Sequence, residues 1–171
     1  MKMDDERNAA RTALDLLVGR SDELVERIER DMTDDARMRK PGPGVWSLTE
    51  VVQHLSLVAG GMLRTGRPTK RGAPFIGAAK MAALRGLLRS RLKIKAPVAA
   101  IVPRPGVTWS DARANLRASN DRWRAFVDGN TFDQLGFKHP LVGRLTPVET
   151  VTFLVEHFDH HTRQVDRLLA K

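Results

Sequence analysis

Glu156-His157-Phe158-Asp159-His160-His161-Thr162-Arg163-Gln164 places three of the chain's five histidines within five residues, on a segment with the apolar spacing of an amphipathic helix. Residues four apart on a helix lie one above the other on the same face. His157 and His161 therefore point within about 40° of each other, and Gln164 falls on the same line. His160 lies to one side of that line and Asp159 points away from it. Two imidazoles so placed can chelate a divalent metal, but two ligands rarely hold a metal alone. A helix of this kind needs others to pack against, and the question is whether one of them brings a third ligand.

The rest of the pattern is helical too. Ala9, Ala10, Ala13, Leu14, Leu16, Leu17, Leu24, Val25 and Ile28 recur at steps of three and four, which predicts a first helix over roughly 5–32, fraying through 33–35. Lys40-Pro41-Gly42-Pro43-Gly44 excludes a regular element. Beyond it, Ser47 and Glu50 have the spacing of a capping box and Trp46 that of a staple onto Val51, so a second helix should run from about 48 to 64. A third begins near Ser110-Asp111, turns Ala112, Leu116, Trp123, Phe126 and Val127 inward, and ends before Gly129. The last follows a loop containing Phe137–Arg144, with Thr146 as cap, Pro147 in the first turn and Glu149 completing a second box, and reaches about Leu169. No strand pattern stands out. Four amphipathic helices joined by polar connections predict an all-α four-helix bundle.

The 171 residues are expected to form one domain, 1–171, large enough for its own core. With no cysteine, disulfides, thiolate ligands and cysteine nucleophiles are excluded. A charged start without an apolar core gives no sign of a signal peptide, and no run approaches the ~20 apolar residues of a membrane span. A cytoplasmic protein is the expectation.

Charge is distributed unevenly. Between Val51 and Ser110 lie Arg64, Arg67, Lys70, Arg71, Lys80, Arg85, Arg89, Arg91, Lys93, Lys95 and Arg104, and no acidic residue. The net charge of +9 thus resides in this one segment and the remainder is close to neutral. The connection, about 65–108, reads as a long, basic, partly helical insertion between helices 2 and 3. Ile76, Ala79, Ala83, Leu84, Leu87, Leu88 and Leu92 predict an extra helix at roughly 74–93, with Lys80, Arg85, Arg89 and Lys93 around its apolar stripe. Such a helix is a packed cover with a solvated basic face, or a surface for an anionic partner such as nucleic acid or lipid. Stacking aromatics are scarce there, and no nucleic-acid recognition motif is present.

His54 is the histidine of the second helix, on a face with Glu50, Val58 and Gly61 that looks into the bundle. Alone, it serves equally as a hydrogen-bonded core residue. Together with the His157/His161 pair it makes a three-nitrogen set inside a bundle, where such sites are built. The motif is not that of a zinc protease, because Phe158 follows His157 and no glutamate base is supplied. Three imidazoles leave coordination positions open, as a catalytic metal requires. Gln164 could orient a ligand imidazole. Glu50 is a capping residue first, with a link to His54 as a secondary role. His139 reads as structural, and Trp46, Trp109 and Trp123 as packing residues near helix ends.

Trp46-Ser47-Leu48-x-Glu50-x-x-x-His54-Leu55 resembles the W-S-x-x-E-x-x-x-H-L signature of the DinB-like superfamily, and His157-x-x-x-His161-x-x-Gln164 its H-x-x-x-H-x-x-Q motif. The resemblance covers most of the chain and departs from the simplest members in the length and charge of 64–109. It implies a bundle carrying one divalent transition metal, nickel or zinc, on His54, His157 and His161. It further implies a hydrolase or a low-molecular-weight-thiol transferase acting on a small molecule, with a homodimer compatible with the apolar surface of such bundles. Because the chain has no thiol, the transferase route needs an external one. The alternative is a non-catalytic module whose basic surface binds an anionic partner.

Overall fold

The computed structural model describes residues 2–68, 74–90, 98–129 and 135–170. In chain order the elements are α1 (Lys2–Asp31), α2 (Asp34–Met38), α3 (Leu48–Arg64), β1 (Arg67–Pro68), α4 (Pro74–Arg89), a 3-10 turn (Ala99–Ile101), α5 (Trp109–Gly129), β2 (Leu135–His139), β3 (Gly143–Leu145) and α6 (Pro147–Leu169). The four long helices α1, α3, α5 and α6 form the expected bundle. Helix α1 packs on α5 and α6, and α3 packs on the same two, so α1 and α3 share one diagonal. Between them lie Leu14, Ile28, Val51, Val52, Trp123, Val127, Val151 and Phe158, all essentially inaccessible to solvent.

Side-chain pairs fix the helix directions. Arg20 pairs with Asp159 and Arg27 with Asp166, the same step along both helices, so α1 and α6 run parallel. Ser119 Oγ donates to the Ser56 carbonyl and Trp123 Nε1 to that of Ala59, so α3 and α5 are parallel as well. Arg11 meets Asp128 while Glu29 meets Arg113, which makes α1 and α5 antiparallel. The order is therefore up, down, down, up. After the 17 residues of α3 the chain must travel back about 25 Å before α5 can start. Helix α4 makes part of that return along α6, with Arg85 at Glu156 and the Leu88 carbonyl at His160 and Arg163. The long 65–108 connection follows from helix direction, so a return path describes it better than an insertion.

Local signals hold at most helix starts. Ser47 Oγ accepts the Glu50 N–H at 3.2 Å and Glu50 returns to the Ser47 N–H at 2.9 Å. Thr146 and Glu149 repeat the box at 3.2 and 2.8 Å. At α5 the cap is Thr108, whose hydroxyl accepts the Asp111 N–H at 3.1 Å, so the helix begins one residue before the expected Ser110. Instead of fraying, Thr33 caps α2, and Arg37 is drawn in by the Glu29 carbonyl and Asp34. Helix α4 also differs from expectation. It buries Met81, Leu84 and Leu88, whereas Ala79 and Ala83 face solvent, since methyl groups give up little by staying wet. The side chain of Ile76 and residues Leu92 and Lys93 lie outside the described residues.

A small antiparallel sheet, ordered β1-β2-β3, replaces the expected loop before α6. Its strands are too short for alternation to register, and Gly143 turns the hairpin at φ +83°. Phe137 on β2 pairs with Leu145 and seals the bundle end, its ring 5.3 Å from both Trp123 and Phe126. A Cβ at Gly66 would stand 2.9 Å from that ring and 3.3 Å from the Leu63 carbonyl. Because Trp123 and Phe126 hold the ring, Gly66→Ala should cost about 1–3 kcal/mol in urea unfolding, and an unchanged midpoint would show that the ring can move aside.

His139 ends β2 with its ring buried edge-on to Phe153, and its Nδ1 accepts the Leu141 and Val142 N–H groups at 3.2 and 3.4 Å. It is structural, as expected. Burial lowers its pKa to about 4. Below the ordinary value near 6.5 the unfolded chain binds a proton that the folded chain refuses, so folding stability falls as pH drops from about 6.5 toward 4. His139→Gln, which keeps an acceptor, should flatten that slope by up to one proton, about 3 kcal/mol across the window, in metal-free protein. Superimposable slopes would refute this account.

Candidate metal centre

His54 lies on the inward face of α3, one turn beyond the capping box. Val51, Val52 and Leu55 around it form a stripe that can only be satisfied inside the bundle. His157 and His161 sit one turn apart on α6, whose buried face carries Leu154, Phe158 and Val165. Because α3 and α6 are adjacent and antiparallel, the three side chains meet. One ring nitrogen from each lies within 4.8 Å of the other two, and the ring centroids are 4.7 to 5.2 Å apart. His54 and His161 are buried and His157 is partly open.

Two of the outer nitrogens are committed. His54 Nδ1–H points at the Ile101 carbonyl, 2.6 Å away, and His161 Nδ1–H at Gln164 Oε1, 2.9 Å away. Each bond selects the tautomer in which Nε2 keeps a free lone pair. The Nε2 atoms of His54 and His157 are 3.1 Å apart. Two ligands bound at about 2.0–2.1 Å to one ion would be separated by about 2.9–3.4 Å for angles between 90° and tetrahedral. The pair already has the spacing of ligands sharing a metal, and the three-imidazole set suits the borderline transition ions.

Electrostatics favour the neutral rings that metal binding needs. Burial lowers the pKa of His161 to about 3, with His54 adding to the effect and Gln164 opposing it. Burial, then repulsion from His161 and His54, holds His157 well below the ordinary value. His54 is lowered by burial against the raising influence of the Ile101 carbonyl.

Trp46 forms one wall, its ring centroid 4.7 Å from that of His54 and 6.2 Å from that of His161 at an angle of 22°. The expected staple position thus puts the indole on two of the histidines, beyond a plain packing role. Phe153 lies 5.5 Å from His157 on the other side. Glu50 gives one oxygen to the Ser47 N–H and the other to Lys40 Nζ at 2.8 Å, and His54 turns to Ile101 instead. Trp109 and Trp123 do pack near helix ends, donating to Glu29 and to the Ala59 carbonyl.

The expected anionic-partner surface is partly occupied from within. Arg85 Nε reaches the Glu156 oxygens at 2.9 and 3.1 Å, and Arg89 approaches the same carboxylate at 3.8 Å. Lys80 is exposed, and Lys93 lies outside the described residues. His160, to one side of the metal-facing line, and Asp159, pointing away from it, bond to the Leu88 carbonyl and to Arg20. Sequence reasoning missed Ile101 altogether. A backbone carbonyl has no sequence signature, and only the return path through 98–104, with the Arg104 N–H bonded to Gln53 Oε1 at 2.9 Å, brings it to His54.

The profile of the DinB superfamily matches residues 8–165. A solved structure described as TT2238, a four-helix bundle protein, is 20% identical over 92% of this chain and 98% of its own, with a TM-score of 0.47. No curated protein matches the chain. No helix among the described residues is long and apolar enough to cross a membrane. Having the bundle, a three-histidine cluster that could hold a metal, and a family profile over nearly its whole length, the chain belongs to the DinB superfamily.

Proposed function

We propose that the chain is a metal-dependent enzyme in which the Nε2 atoms of His54, His157 and His161 hold one divalent transition ion, nickel or zinc. The observation that carries this reading is the convergence of three ring nitrogens within 4.8 Å, two of them on rings whose outer N–H is already tied. Three neutral ligands leave the ion's charge uncompensated, so when bound it would acidify a water or a thiol in an open position.

The chain's own residues orient and shield. Ile101 and Gln164 fix two rings, and Trp46 and Phe153 exclude water from their flanks. The carboxylates nearest the cluster in sequence, Glu50, Glu156 and Asp159, are engaged by Lys40, Arg85 and Arg20 and do not offer a free base. That favours a nucleophile made by the ion over one made by a side chain. With no cysteine in the chain, the thiol-transferase route takes an external low-molecular-weight thiol, and the hydrolase route takes water. A small-molecule substrate fits a site framed by rings and a backbone carbonyl.

One observation favours a rival. The 3.1 Å separation of the His54 and His157 nitrogens also suits a direct hydrogen bond between the two rings, as in a non-catalytic module. That bond leaves the third ring, His161, without a reason to face the pair.

Metal analysis separates the two. Protein purified without a histidine tag should carry about one equivalent of transition metal, and His54→Ala and His161→Ala should lose nearly all of it while keeping their helical circular dichroism. Gln164→Leu should weaken metal binding about 10–100-fold. Wild-type protein that takes up no metal even when it is supplied in excess would leave the hydrogen-bonded module as the reading.

A further inference from the structure

The three rings are not equally supported. His54 and His161 each have an acceptor for the outer N–H, whereas no described group reaches Nδ1 of His157. A ligand histidine nearly always donates that proton to a carboxylate, a carbonyl or a water.

Beside His157, between the four long helices, lies a narrow, partly enclosed void of about 10 Å³, the least that holds one water. Each long helix contributes to its apolar wall, through Leu17, Leu55, Leu116 and Phe158. One other polar side chain lines it, that of Asn120 on α5. Asn120 is 3% exposed, and its Oδ1 accepts no hydrogen bond from any described group. An orphaned buried amide oxygen costs about 1–3 kcal/mol, a penalty that a bridging water removes. Water enters an internal void when polar groups are there to hold it, and this void has two.

We propose that one buried water in this void accepts the Nδ1–H of His157 and donates to Oδ1 of Asn120. The bridge makes Asn120 a positioning residue. It selects the Nδ1–H tautomer of His157 and so directs the Nε2 lone pair at the other two rings. All three histidines would then be oriented by one rule: the backbone for His54, a neighbouring amide for His161, and an amide through water for His157. The tautomer and its effect on metal affinity rest on the reading of the cluster as a metal site, because without an ion the Nε2 atoms of His54 and His157, 3.1 Å apart, would share a hydrogen bond; the water does not.

Three measurements test this. A high-resolution crystal structure of the wild-type protein should show density within hydrogen-bond distance of both Asn120 Oδ1 and His157 Nδ1, and a dry void would overturn the proposal. Long-range nitrogen–proton correlation spectra of the Zn²⁺-loaded protein should report His157 with its proton on Nδ1, and a His157 bound through Nδ1 would overturn the assigned tautomer. Zn²⁺ titrations against a chromophoric chelator should find Asn120→Leu about 10–100-fold weaker than wild type. Equal Zn²⁺ affinity in the two proteins would remove the positioning role. If wild-type protein binds no Zn²⁺, the metal reading fails by itself, and the crystal still decides on the water.

Discussion

The bond from His54 Nδ1 to the carbonyl of Ile101 is the constraint on which the site depends. An imidazole on a helix can rotate about two bonds and present either nitrogen to a ligand. Fixing one nitrogen against a carbonyl removes that freedom and aims the other into the bundle. The carbonyl belongs to a turn that Gln53, the residue before His54, also grips through the Arg104 N–H. Helix α3 thus brings both the ring and the anchor for the segment that orients it.

That segment is present because of helix direction. In a bundle whose helices alternate, short loops suffice and nothing need cross the site. Here α3 and α5 run the same way, and the chain has to return. On the way it lays α4 along α6 and sets the 98–104 turn over the start of α3. Glu156 meets Arg85 one residue before His157, so the ion pair joins the return path to the helix that carries two of the histidines. The run of basic residues in the 65–108 connection consequently overstates the charge that stretch presents, because Glu156 of α6 answers part of the basic face of α4.

The sequence was most legible where the physics is local. Both capping boxes form at the residues that spell them, since a cap is a contact across three positions. The meeting of His54 with His157 and His161 was legible as well, because the period of a helix assigns each side chain to a face and an amphipathic face has to turn inward. Directions were not legible, and neither was anything that followed from them: Ile101 at His54, Leu88 at His160, Asp159 at Arg20. The short strands carried too few residues for alternation, and Met81 was overlooked in favour of alanines that the fold leaves in solvent. Asn120 looked like one polar residue among many on α5, and only its burial gives it meaning.

Trp46 lies against two of the three imidazoles, while Trp123 is sealed in the core and Trp109 is held by Glu29. Indole emission is sensitive to charge and to open-shell ions in van der Waals contact with the ring. Of the chain's three indoles only that of Trp46 makes a ring contact with the cluster, so the light it emits is a built-in gauge of what the histidines hold, read against two others held by different partners.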